Sequence, residues 1–194
     1  MAQINFLSLF ILTFIATTMA VTPSSNTTTK TYNNYIKTSC NTTTYPSVCL
    51  KSLLPYAAAV KSNPLRLVKQ ALSVTLKSAS TTRSAISKLA KAKNITKGDA
   101  AVLKDCIEDI QDSIGEIKDS LNALSSLKSS ENKKFVISNV QTWTSAAITD
   151  EYSCTDGISD EDVSPEVKKK IRSGIMSIAR MSSNALYLIN HLNI

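Results

Sequence analysis

The sequence predicts an all-α protein, an up-down-up-down four-helix bundle with an N-terminal helical hairpin and two disulfides. Apolar residues recur at steps of three and four over most of the 194 residues, which is the period of an amphipathic helix. The chain has only four Gly and five Pro, too few for a turn-rich β-sandwich or for glycine-rich phosphate loops. Short connections between the periodic segments make neighbouring helices antiparallel, which leads to the bundle.

The chain is expected to begin with a signal peptide at residues 1–20. Residues 4–15 form an almost unbroken apolar run, and Thr18 and Ala20 provide the small side chains that a signal peptidase reads. A membrane anchor is the alternative, but the run is shorter than the roughly 20 apolar residues that span a bilayer. We therefore expect secretion to the extracellular space, with no membrane attachment after cleavage. Residues 21–30, mostly Thr, Ser and Asn, form a polar lead that is expected to be disordered.

The four cysteines are expected to form two disulfides, and three connectivities are open to them. On a continuous helix Cys40 and Cys49 would lie about 13 Å apart, too far for a bridge, so the chain must reverse between them if they pair. Residues 41–46, a run of threonines that ends at a proline, disfavour helix and suit this reversal. We therefore pair Cys40 with Cys49 and Cys106 with Cys154. Because the sequence has no Cys-x-x-Cys, a metal site is not expected.

Three Asn-x-Thr sequons fit a secreted glycoprotein. They stand at Asn26, Asn41 and Asn94. We expect these asparagines on exposed loops or tails.

The folded domain is expected to span residues 31–194 and divides into a hairpin at 31–60 and a bundle at 63–194. The first bundle helix begins at Asn63, an N-cap followed by a first-turn proline, and runs to about Lys93. Its apolar positions follow mostly three- and four-residue steps: Leu65, Val68, Leu72, Leu76, Ala79, Ile86, Leu89 and Ala90.

The second bundle helix has the clearest amphipathic pattern. The Thr-x-x-Asp pattern from Thr96 to Asp99 is a weak capping box at its start. Its apolar residues alternate steps of four and three: Leu103, Ile107, Ile110, Ile114, Ile117, Leu121 and Leu124. A third helix begins near Ser130 and places on one face Val136, Val140, Trp143 and Ala147. A fourth begins at Ser164, followed by a first-turn proline, and carries Val167, Ile171, Ile175, Ile178, Ala185, Leu188 and Leu192.

The sequence contains none of the motifs expected of an enzyme. His191, the single histidine, lies in the last predicted turn, where an imidazole complements the helix dipole. The Gly-x-Ser-x-Gly motif, a phosphate loop and a Glu-x-x-His pair are all absent from the sequence. We expect a non-enzymatic protein without catalytic residues, cofactor or bound metal.

The net charge of +7 comes from lysines that are dispersed apart from two clusters. The clusters are Lys88, Lys91, Lys93 and Lys97, and Lys168–Lys170. Aromatic residues are scarce, so we interpret both clusters as solvated faces and expect no nucleic-acid partner. A basic surface would still attract an anionic extracellular matrix through screened, nonspecific forces.

The second helix also carries an acidic stripe, at steps of four and three: Asp105, Asp109, Asp112, Glu116 and Asp119. The stripe is offset by two residues, about 200° around the helix, from the apolar positions, so it is expected to face outward. Two interpretations are open. The stripe is either an ordinary solvent face or the recognition face of a binding protein.

The order of several short motifs resembles that of the plant invertase/pectin methylesterase inhibitor family. The motifs are CNTTTYPSVC at 40–49, LKDC at 103–106, VQTWTSAAIT at 140–149 and CTDG at 154–157. The resemblance covers essentially the whole mature chain. It implies a four-helix bundle with an N-terminal hairpin, sequential disulfides, and a non-enzymatic protein that forms a reversible one-to-one complex with a cell-wall carbohydrate enzyme.

The motifs also bear on the two branches of this family. Invertase inhibitors typically present a Pro-Lys-Phe loop before the third long helix, and here Lys133 replaces the proline before Lys134 and Phe135. Residues 141–147 and 155–157 are similar to pectin methylesterase inhibitors. We therefore favour an inhibitor of pectin methylesterase in the apoplast or cell wall. The alternatives are an inhibitor of cell-wall or vacuolar acid invertase, and a secreted helical binding protein without an enzyme target.

The resemblance also implies where the partner binds. In the family the bundle covers the substrate cleft of a parallel β-helix enzyme, mainly through the second, third and fourth long helices. The implied partner-binding residues are Asp109, Asp112 and Glu116 on the second helix, and Thr142 and Thr144 on the third. Trp143 stands at a core position of the helical period and is expected to pack inside the bundle.

Overall fold

The computed structural model describes residues 25–160 and 163–193. The predicted signal peptide and residues 21–24 of the polar lead lie outside the described residues. The described part of the chain is helical and contains no strand. Its α-helices are α1 (Ser25–Asn41), α2 (Pro46–Leu53), α3 (Ala57–Val60), α4 (Pro64–Ala90), α5 (Lys97–Ser126), α6 (Lys133–Asp160) and α7 (Pro165–Asn190). A 3-10 turn, Leu54–Tyr56, joins α2 to α3.

Helices α4 to α7 form the predicted bundle. Each of them packs against the next along the chain, and α4 also packs against α7, which closes the bundle. The hairpin of α1 and α2 sits at the end where α4 begins, because α2 packs against both α4 and α7. The prediction of an all-α four-helix bundle with an N-terminal hairpin is confirmed.

Side-chain caps set the starts of three bundle helices. The side chains of Asn63, Thr96 and Asn132 each accept a hydrogen bond from the backbone N–H three residues later, at 2.9, 3.0 and 3.0 Å. The cap at Asn132 explains why α6 starts at Lys133, three residues after the predicted start at Ser130.

The hairpin begins earlier than expected. Helix α1 starts at Ser25, so residues 25–30 of the predicted disordered lead are helical. One face of α1 anchors the helix, with two residues in the buried core and two tyrosines packed against it: Ile36, Cys40, Tyr32 and Tyr35. Once these residues fix the helix, extending it costs much less free energy than nucleating it. The prediction of a disordered lead is therefore wrong for residues 25–30.

Both disulfides join the cysteines that the sequence paired. Cys40 and Cys49 link α1 to α2 with their Cα atoms 5.4 Å apart. The turn between them is tightened by the backbone N–H of Thr43, which donates to the carbonyl of Cys40 at 3.1 Å. Cys106 and Cys154 link α5 to α6, with a Cα separation of 4.4 Å, in the half of the bundle away from the hairpin.

The core consists of two apolar clusters with a polar layer between them. The cluster at the hairpin end includes Leu53, Leu72, Ile117, Leu124 and Ile189. The other surrounds the second disulfide and includes Ile110, Ile171, Ile175 and Ile178. Between them lie three fully buried polar residues, one on each of α5, α6 and α7: Ser113, Glu151 and Ser182. Sequence analysis did not single out this layer.

A polar contact fastens the bundle at the end away from the hairpin. The Asp99 side chain in the first turn of α5 accepts a hydrogen bond from the backbone N–H of Ser164, at 2.9 Å. Ser164 immediately precedes α7, so the contact ties the starts of two helices together. This hydrogen bond lowers the pKa of the Asp99 carboxyl.

Candidate functional site

The acidic stripe of α5 lies on the surface and reaches the groove between α5 and α6. Three of its members, Asp105, Asp112 and Asp119, are exposed, whereas Asp109 and Glu116 are half-buried. The stripe is outward because the apolar positions of α5 occupy the opposite side in the core. The two half-buried carboxylates turn toward α6.

Asp150 on α6 adds a further carboxylate to this surface, and sequence analysis missed it. Burial, followed by repulsion from Asp150, raises the pKa of both Asp109 and Glu116. Burial and then the charge of Asp112 raise the pKa of Asp150 itself. The predicted disulfide could have revealed this neighbour. Asp150 stands four residues before Cys154, and on antiparallel helices this places it beside residues about four after Cys106.

Glu116 has an unsatisfied oxygen in this groove. Its Oε2 atom is buried and has no hydrogen-bond partner. An unpaired buried acceptor costs free energy that a donor from a bound molecule can recover. Together with the repulsion from Asp150, this makes Glu116 a candidate acceptor for a lysine, arginine or hydroxyl of a partner.

A cleft of about 280 Å³ opens at one end of the same face. Small residues from both helices line much of it: Gly98, Ala101, Ser153 and Gly157. Asp105 and Asp109 line it as well, and the Cys106–Cys154 disulfide lies against it. The small side chains leave room for one inserted side chain, and the two carboxylates favour a basic one.

The two threonines nominated on α6 have different environments. Thr142 is exposed, and its hydroxyl donates to the carbonyl of Ser138 at 3.0 Å. Thr144 is fully buried, and its hydroxyl lies 3.3 Å from the hydroxyl of Ser120 on α5. Thr144 therefore cannot touch a partner on the surface, and its nomination is wrong.

Thr144 is buried because it lies on the side of α6 that faces the core. The buried positions of α6 run through Val140, Thr144, Ala147 and Glu151, at steps of four and three. Trp143, which was expected in the core, is only half-buried. A polar residue such as Thr144 can occupy a core position when a neighbouring helix supplies its hydrogen-bond partner. A pattern of apolar residues alone does not identify such a position.

The remaining candidate residues lie away from this face. Asn94 is exposed in the connection between α4 and α5, and Asn41 is exposed at the end of α1. Asn26 lies within α1 rather than in a tail. His191 stacks on Tyr187 with ring centroids 4.0 Å apart. Its Nδ1 lies 2.8 Å from the Tyr187 carbonyl oxygen, which matches the structural role expected for it.

The described residues hold neither a cluster of metal ligands nor a helix that could span a membrane. Across residues 25–160 and 163–193, no cluster of three or more His, Cys, Asp or Glu side chains is arranged to hold a metal ion. In the same part of the chain, every helix is too short or too polar to cross a bilayer.

The protein is an all-α domain, a four-helix bundle with an N-terminal hairpin. Two disulfides each join consecutive helices, and helix faces form its surface. The family model described as plant invertase/pectin methylesterase inhibitor matches residues 34–188. The chain therefore belongs to the plant invertase/pectin methylesterase inhibitor family.

Named relatives and a solved structure agree with this assignment. Pectinesterase inhibitor 11 of Arabidopsis thaliana is 36% identical over 196 residues, covering 98% of this chain and 97% of the relative. Pectinesterase inhibitor 10 of the same plant is 40% identical over 167 residues, covering 82% of this chain and 53% of the relative. The crystal structure of mutant form A of a pectin methylesterase inhibitor from Arabidopsis has a TM-score of 0.65 and 20% identity, over 81% of this chain and 97% of that one. The structural likeness shows a shared fold.

Proposed function

We propose that this protein is a secreted, non-enzymatic inhibitor of pectin methylesterase, acting in the apoplast or cell wall. One observation carries the proposal: a protein named as a pectinesterase inhibitor matches 98% of this chain at 36% identity. In the proposed mechanism the bundle binds the enzyme reversibly in a one-to-one complex and excludes the polysaccharide from its substrate cleft.

The proposed contact surface is the α5–α6 face, defined by Asp109, Asp112 and Glu116 of α5 and by Thr142 and Asp150 of α6. It replaces the sequence-based set by removing the buried Thr144 and adding Asp150. Two paired long helices make this face rigid, so that little conformational freedom is lost on binding. Rigidity supports inhibition, because less of the contact energy is offset by conformational entropy lost on binding.

Charge gives the face its preference for a partner. Burial is the larger cause of the raised pKa of Asp109, Glu116 and Asp150, and repulsion between carboxylates adds to it, from Asp150 on Asp109 and Glu116 and from Asp112 on Asp150. A basic side chain from the enzyme relieves this repulsion and satisfies Glu116 Oε2. Such complementarity speeds association and selects partners more than it adds affinity.

Acid invertase is the second candidate target. Phe135 is 62% exposed at the start of α6, and it follows Lys134 as in the family's invertase-binding loop. Lys133 stands where that loop carries proline. An exposed aromatic ring next to a lysine can contact a partner, so the test includes invertase.

The test incubates the purified mature protein with a plant pectin methylesterase and, in parallel, with a plant acid invertase. We expect methanol release from methylated pectin to stop, sucrose hydrolysis to continue unchanged, and light scattering of the mixture to give the mass of a one-to-one complex. Inhibition of invertase alone would transfer the assignment to the other branch. Inhibition of neither enzyme would leave a helical binding protein without an enzyme target.

A further inference from the structure

A second surface lies on the other side of the bundle, between α4 and α7. These helices approach closely at Gly174, where an added Cβ would stand 3.1 Å from Cγ2 of Thr82. From this contact toward the end of α4, a groove of about 510 Å³ lies between the two helices. It shares no residue with the α5–α6 face.

The groove has an apolar floor and a basic rim. Ile86, Leu89 and Ile171 supply the floor, together with two alanines. Lys88 on the α4 wall and Lys170 on the α7 wall supply the rim. The lining contains no aromatic residue and no carboxylate. A bound molecule would therefore meet aliphatic surface below and a positive charge on each side.

A polar row continues from the groove along the outside of α4. Its members are exposed and recur at steps of four and three: Lys77, Thr81, Ser84, Lys88 and Lys91. A shallow depression beside the groove shares Lys88 and Thr81 with it and is also lined by Lys77, Ser80 and Ser84. From Lys77 to Lys91 the row extends for about 21 Å at 1.5 Å per residue. Its shape suits an extended chain rather than a compact ligand.

Both lysine clusters of the sequence meet at this end of the bundle. In an up-down-up-down bundle the end of α4 and the starts of α5 and α7 lie together, which gathers Lys88, Lys91, Lys93, Lys97 and Lys168–Lys170. Within the described residues, one member of this group has an ion pair, Lys170 with Glu166 at 2.7 Å. The Lys168 ammonium donates to the carbonyl of Ser159. Within the described residues, the other lysines of this group have no carboxylate within ion-pair distance.

We propose that the α4–α7 groove, with the lysine row of α4, binds a linear polyuronate, a chain of uronic acid sugars with free carboxylates. Lysine ammoniums pair with the carboxylates, and the hydroxyl oxygens of Ser80, Thr81 and Ser84, whose hydrogens already bond to α4 carbonyls, accept from sugar hydroxyls. The carbon-bound hydrogens of the rings pack on the aliphatic floor. A nucleic acid fits less well, because the groove offers no aromatic side chain on which bases could stack.

This site goes beyond inhibition of an enzyme. Because the groove lies on the side of α7 that faces α4, the α5–α6 face stays free when a polyuronate is bound. The protein can then be held in an acidic polysaccharide matrix while its other face meets a protein partner. Since the attraction is largely electrostatic, retention weakens as salt rises.

The test measures binding of the mature protein to a free-acid oligomer of galacturonic acid and to its methyl ester. We expect the variant Lys88→Glu/Lys170→Glu to weaken oligomer binding about tenfold, because it reverses two of the charges that pair with carboxylates, and the ester, which has no free carboxylate, to bind more weakly still. The control Lys51→Glu/Arg66→Glu changes the net charge equally at exposed positions near the hairpin, and it should bind the oligomer as the parent does. Circular dichroism verifies that each variant keeps its helices.

A second variant separates the groove from charge alone. Ala85→Trp fills the groove at an exposed position of α4 without changing any charge, and it should also weaken oligomer binding. The proposal is overturned if this variant binds normally, or if dextran sulfate binds as tightly as the oligomer in parent and variant alike. It is also overturned if the double lysine variant keeps oligomer binding but loses inhibition of pectin methylesterase, because the surface then belongs to the enzyme interface. Enzyme inhibition by the parent is scored separately, so failure here does not affect the proposed function.

Discussion

Ser182 on α7 donates a hydrogen bond of 2.8 Å to the carboxyl of Glu151 on α6, and both residues are fully buried. Ser113 on α5 donates to the same oxygen, Oε1, at 2.9 Å. The other carboxyl oxygen, Oε2, is buried without a partner. Burial raises the pKa of Glu151 from its ordinary value of 4.5 to about 8. Three bundle helices therefore meet at a carboxyl group that is neutral in the acidic range.

This relationship predicts that the bundle is more stable in acid than at neutral pH. Between pH 4.5 and 8 the unfolded chain releases the Glu151 proton while the folded chain keeps it. The contribution of Glu151 to the free energy of unfolding is therefore complete below pH 4.5. It is lost as the pH rises to about 8, at up to about 1.4 kcal/mol per pH unit. Urea unfolding at pH 5 and pH 8 measures the difference.

Two variants identify the source of this pH dependence. Glu151→Gln cannot ionise, so its free energy of unfolding should change much less between pH 5 and pH 8, although its unpaired amide lowers stability at pH 5. Glu131→Gln changes an exposed carboxyl and should retain the parent's slope. If Glu151→Gln also kept the parent's slope, another group would control stability in this range.

The acidic stripe is tested by charge reversal. Replacing Asp109, Asp112 and Glu116 with Lys changes the charge of the α5–α6 face by six units, which should slow association with pectin methylesterase and weaken inhibition. Only Asp112 of the three is exposed, so circular dichroism must verify that the variant keeps its helices before a loss of inhibition is assigned to the interface. Inhibition assays at low and moderate salt, with Glu131→Lys as the control, check this. A triple variant that inhibits like the parent would move the search to Thr142 and α7.

The influence of Asp150 on its neighbours can be measured separately from any partner. Asp150→Asn removes the charge that repels Asp109 and Glu116, so the pKa of each should fall. Neither should return to its ordinary value, because burial is the larger cause in both cases. NMR titration of the side-chain carboxyls gives the values, with Asp156→Asn on the same helix as control. Unchanged pKa values in Asp150→Asn would mean that the two helices are not in this register.

The second disulfide should contribute more stability than a local link. Cys106 and Cys154 are 48 residues apart in sequence, and chain-entropy estimates for a loop of this size give about 4 kcal/mol. The variant Cys106→Ser/Cys154→Ser should lose roughly this amount in urea unfolding. Non-reducing peptide mapping of the parent should recover Cys40 with Cys49 and Cys106 with Cys154. A Cys49–Cys106 peptide would contradict the topology.

The sequence alone determined the helices of the bundle, their order and the disulfide pairing. These features depend on local patterns: apolar residues at helical steps, caps at Asn63 and Thr96, and a helix-breaking segment between Cys40 and Cys49. The sequence also located the acidic stripe, because its members share one helix. The sequence placed the start of the hairpin at residue 31, which was too late. Residues 25–30 are polar, so their sequence did not show that they extend a helix held in place by apolar residues further along the chain.

The tertiary structure decided which polar residues are buried and which charged residues are neighbours. Thr144 and Glu151 occupy core positions because Ser120, Ser113 and Ser182 on other helices supply their hydrogen bonds. Asp150 joins the stripe of α5, and Lys88 meets Lys170, through the antiparallel register of helices distant in sequence. A hydrophobic period describes one helix at a time, whereas burial and repulsion depend on the atoms that a second helix brings near.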